Sequence, residues 1–296
     1  MTKTLLSIGE CMVEMAQTGD GTYRQGFAGD TFNMAWHARR ALDAGWDVQY
    51  FTAVGDDDFS SRMLAFMAQQ GIGTRHVARL GQQAPGLYMI SLNKGERSFT
   101  YWRDASAARR LADDQAQLEK ATNAADAIFY SGITLAILPA AARQSFLRVM
   151  AWAKAEGKTV AFDSNIRQRL WASTSDLRQA IADAAQTATL ALPTGEDEYQ
   201  LFGDGDAEAA AGRYRQWGVG EVVVKCGPEP AIISYGESIH RIGPAAKVVP
   251  VDTTGAGDSF NGAYIAARLG GSSPEASVRM AHANAARVIQ AYGALV

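Results

Sequence analysis

The chain has 296 residues, of which 47% are apolar and 20% charged, and it carries a net charge of −3. That balance supplies a substantial buried core and excludes disordered, collagenous and nucleic-acid-coating compositions. No stretch approaches the ~20 apolar residues needed to span a bilayer. The apolar run at residues 5–8 is too short for a signal peptide, and the two cysteines, Cys11 and Cys226, form no C-x-x-C pair. The expectation is a cytoplasmic protein in a reducing compartment that acts on small ligands and binds neither nucleic acid nor membrane.

Along the chain, residues 5–8, 48–54, 127–130, 159–162, 190–192 and 222–224 are short apolar runs that read as buried strands. Between them, residues 31–41, 60–70, 139–155, 177–185 and 207–217 have helical spacing, and a last such run covers 258–269. Strand and helix in alternation predict a mostly parallel sheet covered on both faces, with ligands beyond the C-terminal strand ends. One region departs from this. Residues 86–92 and 97–103 flank the turn Asn93-Lys94-Gly95-Glu96 and predict a hairpin. With residues 11–15 and 23–27 it would form a small sheet, a lid of about 11–27 and 86–103 inserted into a single domain spanning 1–296.

Spacing excludes several chemistries. Glycines 21 and 26, and 81 and 86, have phosphate-loop separation, but Phe27 and Leu87 stand where lysine is needed. After Gly255-Ala256-Gly257, Phe260 replaces the third small residue of a dinucleotide fingerprint, and this turn lies near the C-terminus. His37, His76, His240 and His282 make no H-E-x-x-H pair, no G-x-S-x-G elbow occurs, and all four read as structural or surface groups.

The stretch Asp252-Thr253-Thr254-Gly255-Ala256-Gly257-Asp258-Ser259-Phe260 is the most informative. Its glycines permit a tight turn with free N–H groups at a helix start, where partial positive charge suits a phosphate or a developing oxyanion. Asp258 in that turn is placed to take a proton from an attacking hydroxyl. Taken alone, Gly-Ala-Gly-Asp fits a loop with a first-turn carboxylate better. Gly29-Asp30-Thr31-Phe32-Asn33 sets an acid and an amide at another helix start, where Asp30 reads equally as an N-cap or as an acceptor for sugar hydroxyls.

From Asp252 to Tyr264 the chain resembles the C-terminal signature of the ribokinase-like (PfkB) carbohydrate kinases. Gly29-Asp30 with Asn33 resembles their N-terminal signature, with Ala28 in place of its first glycine. Residues 7–12, 85–88, 95–97, 101–103, 131–133, 163–171 and 223–227 are most similar to the branch that phosphorylates 2-keto-3-deoxygluconate. The resemblance implies a ribokinase-like three-layer α/β sandwich with a mostly parallel central sheet and a small antiparallel β-sheet lid. It also implies ATP-dependent phosphorylation of a sugar acid with Mg²⁺. Asp258 would be the general base and touch the substrate, and Gly255, Ala256 and Gly257 would form the anion hole. Gly29, Asp30, Asn33, Tyr88, Tyr101, Arg103 and Arg167 would contact the sugar acid, whose carboxylate suits arginine's planar fork. Asn165, Lys225, Gly227, Thr253, Gly255, Gly257 and Asn284 would border ATP. Ion pairs, ring packing and helix-surface amides are the structural alternatives for these residues. The wider family often has Asn-x-x-Glu where this chain departs with Thr194 and Asp197; Asp197 keeps a carboxylate, and the resemblance implies that it would serve the metal, directly or through water. Another sugar kinase of the family, a fructokinase or ribokinase, and a catalytically silent sugar-binding regulator remain as alternatives. The intact Asp258 turn argues against the regulator. The aromatic hairpin, by the same resemblance, implies a homodimer joined through the lid.

Overall fold

The computed structural model describes residues 2–19, 21–93 and 96–296. In chain order the elements are β1 (Lys3–Ile8), β2 (Met12–Gly19), β3 (Thr22–Ala28), α1 (Asp30–Ala41), β4 (Trp46–Val54), α2 (Asp58–Gln69), β5 (Gly73–Arg79), β6 (Leu87–Asn93) and β7 (Glu96–Trp102). They continue with α3 (Gln115–Ala124), β8 (Ala127–Ser131), α4 (Gly132–Ile137), α5 (Ala140–Ala155), β9 (Thr159–Asp163), α6 (Thr174–Thr187), β10 (Leu190–Ala191) and α7 (Gly195–Phe202). The last are α8 (Ala207–Gln216), β11 (Glu221–Val224), β12 (Ala231–Tyr235), β13 (Ser238–Ile242), α9 (Ala256–Leu269) and α10 (Pro274–Val288).

Nine strands form the main sheet in the order β13-β12-β11-β10-β9-β8-β1-β4-β5. From β11 to β5 each neighbouring pair is parallel, and β12 and β13 add an antiparallel edge. Consecutive residues of a strand point to opposite faces, and here both faces are covered, which is why these segments are apolar without alternation. Leu6, Ile8, Ile128, Tyr130 and Val222 pack with Leu118, Phe146, Ile181 and Tyr214 of the helices on one face. Leu5, Phe129 and Val223 pack with Phe32, Met63, Tyr264 and Val278 of α1, α2, α9 and α10 on the other. Each such aliphatic or aromatic side chain stabilises the fold by about 1.5–3 kcal/mol when fully buried.

The six expected strands and the expected helices all form, with ends shifted by a few residues. β5 and the β12–β13 hairpin have no counterpart among the expected elements. β5 reads Gly-Thr-Arg-His-Val-Ala-Arg at a half-exposed edge and has no apolar run to announce it.

The small sheet has the order β3-β2-β6-β7. Two antiparallel hairpins, β2–β3 and β6–β7, are joined by a parallel β2–β6 pair. Lys94 and Gly95 of the expected turn lie outside the described residues. Register assigns the faces: Glu14, Tyr88 and Tyr101 share one row, and Val13, Phe27, Leu87 and Trp102 share a row on the opposite side.

Candidate active site

A cleft of about 620 Å³ opens over the C-terminal ends of the parallel strands, beneath the lid. Its wall collects Gly29, Asp30, Asn33, Tyr88, Tyr101, Arg103, Asn165, Arg167, Asp197, Lys225, Thr253, Gly255, Ala256, Gly257 and Asp258. Of the expected site residues, Gly227 and Asn284 lie outside this lining. Gly227 turns the chain after β11 at a φ of 57°. The Asn284 amide donates to the Ser259 carbonyl at 2.9 Å, fastening α10 to α9. His37 and His282 meet the carbonyl oxygens of Ala294 and Ile242 at 2.8 and 3.0 Å, in keeping with structural roles.

Gly255 enters α9 at a φ of 74°, and a Cβ there would come within 2.5 Å of the Ala294 Cβ, so the position accepts only glycine. Asp252 fixes this turn by accepting hydrogen bonds from Thr254 N at 3.1 Å, Thr254 Oγ1 at 2.7 Å and Gly293 N at 2.7 Å. α9 receives no side-chain cap from Gly255 at its N-cap. Its first-turn N–H groups and the positive end of its dipole are therefore available to an anion.

Asp258 lies half-buried in that first turn and accepts a hydrogen bond from Asn33 Nδ2 at 2.8 Å. Burial, and then the neighbouring Asp30 carboxylate, raise its carboxyl to about 7; Asp163 adds to the rise, while Asn33 and Lys225 oppose it. A carboxylate poised near neutrality suits a general base.

Also lining the cleft, Asp163 at the end of β9 accepts hydrogen bonds from Lys225 Nζ at 2.9 Å and Asn261 Nδ2 at 2.6 Å on one oxygen, and from Asn165 N at 3.0 Å on the other. With three donors its charge is already satisfied. Asp197 differs, because among the described residues its carboxylate meets only the Arg167 guanidinium, at 3.9 Å, beyond hydrogen-bond reach. Burial raises the Asp197 carboxyl and Arg167 pulls it back. Among the described residues no group of three or more His, Cys, Asp or Glu side chains could hold a metal alone. Mg²⁺ commonly takes only one or two protein carboxylates with phosphate oxygens and waters, a requirement Asp197 fits.

The two expected arginines differ in setting. Arg103 is buried and ion-paired with buried Glu10, and Glu10 Oε1 and Arg103 Nε have no hydrogen-bond partner among the described residues. Arg167 is 48% exposed. Both line a recess of about 150 Å³ with Asp104 and Arg169, the guanidinium of Arg169 lying 5.3 Å from the Tyr101 ring centre. Glu10, Asp163 and Arg169 fall inside segments that carry the family resemblance, yet the sequence assigns them no role. Asn261 carries no signal, being one polar residue inside a helix.

The chain is similar over its whole length to known proteins. Residues 2–296 match the family described as pfkB family carbohydrate kinase. The chain is 40% identical to the 2-dehydro-3-deoxygluconokinase of Dickeya dadantii (strain 3937), over 100% of this chain and 97% of that one. It superposes on the PfkB protein from Polaromonas sp. JS666 with a TM-score of 0.85 and 28% identity, covering 99% of this chain and 97% of that one. A putative ribokinase II from E. coli, in complex with ATP and Mg²⁺, shares the fold at a TM-score of 0.84 and 23% identity, covering 100% and 95% of the two chains.

Proposed function

The chain belongs to the pfkB family of carbohydrate kinases, and we propose that it transfers the terminal phosphoryl group of ATP to 2-keto-3-deoxygluconate (2-dehydro-3-deoxygluconate), giving 2-keto-3-deoxy-6-phosphogluconate. The observation that carries this reading is one cleft in which Asp258, oriented by Asn33, stands at the uncapped start of α9 and opposite an arginine-lined recess. The first two features serve phosphoryl transfer in general. The recess selects an acidic sugar, as the name of the Dickeya relative also suggests.

In this reading Gly29, Asp30 and Asn33 hold the sugar hydroxyls, Tyr88 and Tyr101 border its chain, and Arg103 and Arg167 receive its carboxylate. Asp258 orients the attacking hydroxyl and accepts its proton. The backbone at Gly255, Ala256 and Gly257 stabilises charge on the phosphoryl oxygens, with Lys225 and Thr253 beside them; Gly227 and Asn284 would border the outer part of the nucleotide. Mg²⁺, held on the protein side by Asp197 directly or through water, would neutralise phosphate charge. The lid (about 11–27 and 86–103) belongs to the single kinase domain 1–296 and excludes water from the reaction. We also place the enzyme in the cytoplasm, in keeping with free Cys11 and Cys226, and as a homodimer joined through the lid.

An ATP-consumption assay with 2-keto-3-deoxygluconate, fructose and ribose tests the substrate assignment. The expected result is a kcat/KM for the sugar acid far above that for either neutral sugar. Equal or better use of fructose or ribose overturns the assignment, and no turnover of any sugar revives the silent regulator.

A further inference from the structure

Asn165 is the one non-glycine among the described residues with a positive φ, 31°. Asparagine tolerates this conformation better than most side chains, but it persists only where the surroundings hold it. Two contacts do so. The backbone N–H donates to Asp163 Oδ1 at 3.0 Å, and the side-chain Nδ2 donates to Asp30 Oδ2 at 2.7 Å. Asp163 in turn binds Lys225 through its other oxygen at 2.9 Å. Hydrogen bonds therefore run from Asp30 at the start of α1, through Asn165 and Asp163, to Lys225 just after β11.

Asp30 shares the cleft with Asp258, and two carboxylates there repel each other, so a donor on each offsets the cost: Asn33 holds Asp258 and Asn165 holds Asp30. The amide of Asn165 binds one oxygen of Asp30 and leaves Oδ1 for a substrate hydroxyl.

We propose that Asn165 is a positioning residue for the sugar: it orients the Asp30 carboxylate toward the substrate and, resting on Asp163, ties that orientation to Lys225 on the phosphate side. The proposal rests on the sugar-kinase reading above. It moves Asn165 from the nucleotide side, where the family resemblance puts it, to the sugar side.

Asn165→Gly separates the side chain from the backbone, because glycine adopts the turn freely and keeps the N–H on Asp163. The expected variant stays folded, its melting temperature set by relieved left-handed strain on one side and by the lost Asp30 contact and the greater chain entropy of glycine on the other. Its KM for the sugar rises roughly ten-fold or more, as losing a hydrogen bond to a charged group predicts, while its KM for ATP stays within about two-fold. Asn165→Asp keeps the shape but faces Asp30 with a second carboxylate, and raises the sugar KM further. An unchanged sugar KM in Asn165→Gly overturns the proposal and leaves Asn165 a backbone element. An ATP KM that rises while the sugar KM stays put overturns it in favour of a nucleotide contact. If the wild-type enzyme prefers another sugar, the substrate assignment fails separately, and the same comparison with the preferred sugar still decides the role of Asn165.

Discussion

Asp258 and the two arginines show how environment, rather than residue type, sets what a side chain does. Asp258→Asn keeps the shape and the Asn33 neighbour but loses the base, so kcat should fall by at least about 10²-fold with the melting temperature unchanged. Near-normal turnover would refute the assignment. As the proposed base, Asp258 would act ionised, and with burial and Asp30 raising its carboxyl to about 7, kcat/KM should decline as pH falls below that value and level off above it. The causes of the shift give the sign for two variants. Asp30→Asn removes a charge that raises the carboxyl and should move the acid limb to lower pH; Asn33→Ala removes a hydrogen bond that lowers it and should move the limb to higher pH. A limb unmoved in both would mean that another group is titrating. For the carboxylate, sequence alone treats Arg103 and Arg167 alike, and the structure separates them. Arg103→Leu strands Glu10, whose side chain is 1% exposed, and breaking such a pair costs roughly 3–5 kcal/mol, so lost folding and lost binding would be mixed. Arg167 is the cleaner probe. Arg167→Leu should weaken use of the sugar acid by roughly 2 kcal/mol with little loss of stability or of activity on neutral sugars. Equal losses for acidic and neutral sugars would assign Arg167 to the nucleotide or the fold.

At the level of elements, what the sequence discloses follows from what is local. Strands buried on both faces are continuous apolar runs, so β1, β4, β8, β9 and β11 are legible, and the Gly255–Asp258 turn is legible because its backbone demands are met by adjacent residues. Edge strands such as β5 lack that run. The Asp163–Lys225–Asn261 cluster joins residues 62 and 98 positions apart, so no local pattern contains it. The crossing of α1 and α9 is equally hidden, and it fixes the base. A Cβ on Gly262 would come 2.6 Å from the Met34 carbonyl oxygen and 2.7 Å from the His37 Cβ, so only glycine lets the helices meet. Since α1 carries Asn33 and α9 carries Asp258, Gly262→Val should spread the 2.8 Å contact between them. Overpacking of this kind costs about 1–3 kcal/mol, so calorimetry should show a lower melting temperature together with a lower kcat. Gly212 supplies the control. It lies inside α8 with open space where a Cβ would stand, and Gly212→Ala should stabilise the protein by about 0.5–1 kcal/mol without touching activity.

At the scale of the whole molecule, the small sheet carries an exposed aromatic surface of its own. Tyr88, Phe99 and Tyr101 border the cleft, and on the other face Val13 and Phe27 are taken up by the core beside α1 and α2, with the Phe27 ring 5.6 Å from that of Phe66. Trp102 and Tyr23 remain 55% and 36% exposed. They lie on β7 and β3, the two edges of the small sheet, where backbone groups also lack strand partners among the described residues. Open aromatic edges in the proposed lid call for a cover, and in the proposed homodimer a second copy of the chain related by a two-fold axis would supply the same cover to both lids. Light scattering at micromolar concentration should therefore report twice the 31.7 kDa chain mass. Trp102→Glu places a charge on this edge and should release monomers whose kcat falls as the lid loses its support, with the main-domain melting transition preserved. A wild-type protein that is monomeric and fully active, or a Trp102→Glu variant that remains dimeric, would show that the lid works alone.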